Sequence, residues 1–158
     1  MNEHHPNKEI AMNTTAPPTL NPSVIGQAEK HHTAVLARAL AGTSLDEKQW
    51  IVLNQALAAG APVDPAVHIT RVAAMTRWNP ADTGAALTAL LESGLLRSTS
   101  GELVEPTEGG TALAGKVRSE SGAIVAAAYG AVAPEDLATA ARVLTIITAR
   151  MAEELARA

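Results

Sequence analysis

A chain of 158 residues, 47% of them hydrophobic, is long enough to bury a core and too apolar to be disordered throughout. The absence of cysteine excludes disulfides, thiolate catalysis and thiolate metal sites. Twelve basic residues against sixteen acidic ones give a net charge of −4, which argues against a surface uniformly suited to nucleic acid.

With two Trp, one Tyr and no Phe, the core has to be built from Ala, Leu, Val and Ile, a composition that favours helix. No apolar run reaches the length of a membrane span. The first twenty residues lack the apolar centre of a secretory signal, so the chain reads as cytoplasmic. Residues 1–20 are polar, contain Pro6, Pro17 and Pro18, and show no period, which predicts a disordered tail. His4 and His5 read there as a solvated pair, since such a tail presets no metal geometry.

Asn21-Pro22, a cap followed by proline, opens a first helix that runs to about Leu40 and stops at Gly42. Ser44 and Glu47 are spaced as a capping box for a second helix, with Trp50, Leu53 and Leu57 at helical intervals and Gly60 closing it. Asp64-Pro65 opens a third helix with an apolar stripe of Ile69, Val72 and Met75, and His68 on it reads as exposed or capping. Asn79-Pro80 opens a fourth, carrying Leu87, Leu90 and Leu91 and ending at Ser93-Gly94. The period then shortens. Residues 95–98, a turn over 99–101, and residues 102–105 read as a hairpin ended by Pro106. A long helix follows over about Glu108–Tyr129. A last one starts at Pro134, and its stripe of Leu137, Ala141, Leu144, Met151 and Leu155 requires a partner.

Three short helices followed by a hairpin is the order of a winged helix-turn-helix, whose second motif helix enters the DNA major groove. The segments Leu45–Leu57, Arg71–Met75 and Leu87–Leu96, with Pro106-Thr107-Glu108-Gly109-Gly110 after the hairpin, resemble the MarR (multiple antibiotic resistance regulator) family over residues 21–158. The resemblance implies a mainly α fold with a winged helix-turn-helix at 43–107. A dimerisation helix at 21–42 and two more within 108–158 would flank it. It implies a cytoplasmic homodimer that binds double-stranded operator DNA, takes a small, often aromatic ligand between the dimer helices and the winged domain, and uses no metal or cofactor. The DNA-facing set it implies is Arg71, Arg77, Asn79, Ala81, Asp82, Thr83, Ala85, Arg97 and Ser98. The ligand-facing set is His31, His32 and Trp50, although Trp50 also reads as core.

The chain departs from the family where DNA is read. Family recognition helices carry Ser, Thr and Arg toward the bases, whereas this one offers Ala81, Asp82, Gly84, Ala85 and Ala89. Family wings are longer and basic at the tip; this one is flanked by Glu102 and Glu105. Residues 43–106 hold four basic against seven acidic side chains, a net of −3. Arg71, Arg77 and Arg97 are each open to two readings, a phosphate contact or an ordinary surface pair. Asp82 reads first as a favourable charge in a helix's first turn. No serine elbow, phosphate loop or H-E-x-x-H motif points to an enzyme. The alternative to a DNA-binding regulator is a winged-helix dimer that has lost DNA binding and binds protein.

Overall fold

The computed structural model describes residues 18–158. Most of the tail expected over 1–20, with its His4-His5 pair, lies outside the described residues. Six helices and one hairpin follow in order: α1 (Pro22–Leu40), α2 (Glu47–Ala58), α3 (Pro65–Thr76), α4 (Pro80–Glu92), β1 (Leu96–Ser98), β2 (Val104–Pro106), α5 (Glu108–Tyr129) and α6 (Pro134–Arg157).

Three helices start on the same device. The side chains of Asn21, Asp64 and Asn79 accept from the amides of Val24, Val67 and Ala81 at 3.0, 3.1 and 2.8 Å, and each is followed by proline at the first helical position. Proline lacks the amide that would go unpaired there. The second helix corrects the expected Ser44–Glu47 box. Its cap is Asp46, whose carboxylate accepts from Gln49 N at 2.8 Å while Gln49 Oε1 accepts from Asp46 N at 3.0 Å. Leu45 and Trp50, flanking this cap at the positions of a hydrophobic staple, are both buried in the core. Burying Leu45 commits residues 43–45 to the turn, where the Thr43 hydroxyl accepts from Leu45 N, so the helix begins later than Ser44 allows.

At the end of α4, Leu95 N donates to Leu90 O at 2.9 Å and Gly94 N to Leu91 O at 3.2 Å, with Gly94 at φ +74°. This is a Schellman closure, and it takes Leu95 out of the expected strand. The hairpin is also shorter than expected. Leu96 pairs with Pro106 and Ser98 with Val104, and the loop over 99–103 is closed by Thr99 N donating to Leu103 O at 2.7 Å. Glu102 stands at φ +61°, a conformation incompatible with the ladder position expected of it. The outer edge of β2 is covered by Val63, from the α2–α3 connection, through two amide bonds of 2.9 and 2.8 Å with Val104.

The core lies between α2, α3, α4, the hairpin and the first half of α5. Val52, Leu53, Val72, Leu90, Leu96 and Val117 are all at or below 1% exposure. Aliphatic side chains of this size contribute about 1.5–3 kcal/mol each when fully buried. α1 packs along α5. No residue of α6 is buried, and Leu144, Ile146, Ile147, Met151 and Leu155 on it are exposed.

Candidate nucleic-acid interface

α4 is held by its inner face. Thr83, Ala86, Leu87 and Leu90 are buried, whereas Ala81, Asp82, Ala85 and Thr88 are exposed along the opposite side. The sequence places the small residues outward because the leucines occupy the core positions at three- and four-residue intervals. Thr83 is therefore a correction to the DNA-facing set. It is 0% exposed and its hydroxyl donates to Asn79 O at 3.2 Å, so it offers nothing to a phosphate. Asn79 is exposed, with its side-chain oxygen committed to the helix cap.

Arg77 ends α3 in the left-handed region, at φ 64° and ψ 17°, and is exposed immediately before α4. Behind that turn the Lys48 ammonium stands 5.1 Å from the centre of the Trp78 ring. Lys48 also borders a groove shared with Asp82 and Ala85. No local spacing in the sequence announces this pair, whose members stand thirty positions apart.

On the hairpin, Arg97 and Ser98 are exposed. Arg97 Nη2 lies 2.7 Å from Glu105 Oε1 across the two strands, and its Nε donates to the same oxygen at 2.9 Å. The surface-pair reading of Arg97 is thus present in the structure. An exposed pair of this kind contributes about 0–1 kcal/mol and exchanges readily for another anion.

Arg71 is exposed on α3, and its Nη2 donates to His68 Nδ1 at 3.2 Å. His68 corrects the expectation of an exposed or capping residue. It is 0% exposed, with Nε2 donating to Val52 O of α2 at 3.0 Å. Burial pushes its pKa below the ordinary 6.5; the Val52 hydrogen bond opposes this and the Arg71 charge adds to it. The signal was available in the sequence, since His68 lies four residues before Val72 on the core-facing stripe.

The ligand-facing candidates do not converge. His31 and His32 are exposed on α1, and each Nδ1 donates to the carbonyl four residues back, of Gln27 and Ala28, at 2.7 Å. His32 Nε2 then accepts from the Tyr129 hydroxyl at 2.5 Å. Trp50 lies in the core at 7% exposure. A cleft of about 280 Å³ opens between the end of α1 and the start of α2, lined by Thr33, Leu36, Leu40, Leu45, Asp46 and Glu47. Among the described residues, no group of three or more His, Asp or Glu is placed to hold a metal ion.

No protein-family model and no curated protein matches the chain. Solved structures do. CouR from Rhodococcus jostii RHA1, bound to p-coumaroyl-CoA, superposes with a TM-score of 0.65 at 20% identity over 78% of this chain and 88% of that one. A MarR-family protein of Mycobacterium tuberculosis in complex with DNA gives 0.61 at 15% identity over 82% and 98%. The reduced form of MarR from E. coli gives 0.62 at 17% identity over 83% and 95%.

This chain has the MarR fold.

Within the MarR fold, the candidate interface of this chain is electrostatically mixed. The outer face of α4 is acidic at Asp82 and otherwise small, and the hairpin arginine is balanced by Glu105. Positive charge on the α2–α4 unit is left to Lys48, Arg71 and Arg77. Polar contacts add to the shared core in binding the winged unit to the long helices. Arg118 of α5 donates through Nε and Nη2 to Asn54 Oδ1 of α2, at 2.8 and 2.5 Å. Thr107 donates to Gly94 O at 2.7 Å while accepting from Gly110 N at 3.0 Å.

Proposed function

We propose that the protein is a MarR-like transcriptional regulator that binds operator DNA as a homodimer and responds to a small ligand. The observation that carries this reading is the presentation of α4. Its inner face is fixed in the core, its outer face is solvent-facing, and it stands between the hairpin and the arginines of α3. We assign DNA contact to Arg71, Arg77, Asn79, Ala81, Asp82, Ala85, Arg97 and Ser98. Residues 43–107 form the winged domain of this reading, with 21–42 and 108–158 as its dimerisation helices and 1–20 as a tail.

The dimer is supported by α6. Five large apolar side chains, between 37% and 62% exposed, forgo part of the about 1.5–3 kcal/mol that full burial of each contributes, a cost that a second copy removes. Two recognition helices so joined have to sit about 34–36 Å apart to enter successive major grooves. A ligand held between the dimer helices and the winged domain acts by changing that spacing. His31 and His32 and the cleft beside α1 are the candidates for its site. The protein acts in the cytoplasm on this reading; among the described residues, no helix is long and apolar enough to cross a membrane.

A second reading is favoured by one observation, the Ala-rich, Arg-free outer face of α4 on a domain of net charge −3. Such a face suits packing against protein. Fluorescence anisotropy at low salt, on the DNA upstream of the protein's own gene, separates the two. Salt-sensitive binding weakened by Arg77→Ala is the result expected of a regulator. Absence of binding at every salt concentration assigns the winged domain to a protein partner.

A further inference from the structure

The arginines of the described chain differ in what they meet. Arg97, Arg150 and Arg157 each contact a glutamate, and Arg118 meets Asn54. Arg71 meets a neutral, fully buried histidine, and among the described residues its guanidinium has no carboxylate partner. The tautomer of that histidine is fixed by its surroundings. Val52 O can only accept, so the ring proton resides on Nε2, and Nδ1 presents a bare lone pair. A bare Nδ1 can only accept, and Arg71 Nη2 is a donor at 3.2 Å. One guanidinium nitrogen is thereby held by a neutral acceptor, and among the described residues the others have no hydrogen-bond or ion-pair partner on this exposed side chain.

We propose that His68 is a positioning residue that holds Arg71 as an uncompensated cation for a DNA phosphate. This rests on the DNA-binding reading above. Among the described residues Arg77 of the same domain also lacks a carboxylate partner, but Arg71 is in addition held in place: a neutral acceptor orients its side chain without cancelling its charge. This role explains why a buried polar side chain occupies the core-facing stripe of α3 beside Val72, where an aliphatic residue would otherwise stand.

Two conservative variants divide the two ring nitrogens between them. His68→Gln places an amide donor near the Nε2 position and keeps the bond to Val52, but loses the acceptor toward Arg71. His68→Asn places an oxygen near the Nδ1 position and keeps that acceptor, but loses the bond to Val52. DNA affinity is read by anisotropy over a salt series, and Arg71 side-chain order by 15N relaxation of its Nε–H, which requires no DNA. The expected result is that H68Q weakens binding about tenfold and flattens the salt dependence by about one phosphate, as R71A does. R71A/H68Q should lose nothing further, and Arg71 should become mobile in H68Q and stay ordered in H68N. If His68 serves only to join α2 to α3, H68N is the damaged variant and H68Q the healthy one, and the proposal is overturned. If the wild type binds no DNA but Arg71 loosens in H68Q, the regulator reading fails while the pinning stands. If Arg71 is as mobile in the wild type as in H68Q, the pinning fails, whatever the DNA does.

Discussion

Gly110 lies in the first turn of α5, pressed against the turn that leads from α4 into β1. A Cβ added there would fall far inside the contact distance of the Leu95 carbonyl oxygen, 3.0 Å from its carbonyl carbon and 3.3 Å from its Cα. The obstacle is backbone, and that backbone is itself tied down. Leu95 O accepts from Thr107 N at 3.1 Å, and Gly94 O accepts the Thr107 hydroxyl at 2.7 Å. Gly110→Ala therefore has to push α5 off the turn. Helix propensity returns about 1 kcal/mol. Overpacking costs about 1–3 kcal/mol, and the two strained hydrogen bonds about 1 kcal/mol each. The net is a loss of about 2–4 kcal/mol, or on the order of 5–15 °C in Tm. Gly115 is an internal control on the same helix, because nothing lies within 4 Å of its added Cβ. Gly115→Ala should raise stability by up to about 1 kcal/mol. Urea or thermal unfolding of the three proteins at one protein concentration decides it. A Gly110→Ala protein as stable as the wild type would falsify the close approach of α5 to the wing.

Other outcomes follow from the same structure. In the proposed dimer, Ile147→Asp or Met151→Asp sets like charges against each other on the α6 face, and light scattering should find a monomer; a dimer that persists would place the interface elsewhere. Glu105→Gln removes the carboxylate that balances Arg97. It should change stability by less than about 1 kcal/mol and tighten DNA binding at low salt, and unchanged affinity would remove Arg97 from the interface. His68 gives the fold a pH dependence, because its folded pKa lies below the ordinary 6.5. Above 6.5 the histidine is neutral in both folded and unfolded chains. As the pH falls through 6.5 the unfolded chain takes up a proton that the folded one does not, so stability declines, by at most about 1.4 kcal/mol per pH unit. The decline ends once the folded pKa is passed, and denaturant titrations of His68→Asn should lack that share of it. Asp46→Ala removes the cap of α2 and should cost about 0.5–2 kcal/mol by urea titration, with Ser44→Ala close to neutral.

Much of this architecture is legible in the chain because its punctuation is local. Three Asx-Pro pairs open helices, Ser93-Gly94 closes one, and Pro134 starts the last. What was not legible depends on residues far apart. Val63 joins β2 by pairing with Val104, forty-one positions later, and a single apolar residue after proline carries no strand period. Lys48 meets Trp78 across two helices. The shift of the α2 cap from Ser44 to Asp46 follows from the burial of Leu45, a tertiary demand that two overlapping box-like spacings cannot adjudicate. The hydroxyl of Thr83 suits a DNA contact, while its register with Leu87 and Leu90 points it inward. Side-chain chemistry and helix position nominate the DNA-facing set, and burial decides which members of it reach solvent.

The double tether of the hairpin determines how such a molecule can move. One strand is stitched to the α2–α3 connection through Val63, and its far end is anchored where Thr107 grips Gly94. A strand fastened near both of its ends ties the hairpin to the helices beneath it. With Arg118 linking α5 to α2, a displacement of the long helices turns the entire reading head as one piece, like a key rotated by its bow. On the proposed regulator reading, a ligand signal reaches DNA as a rotation of the whole winged unit.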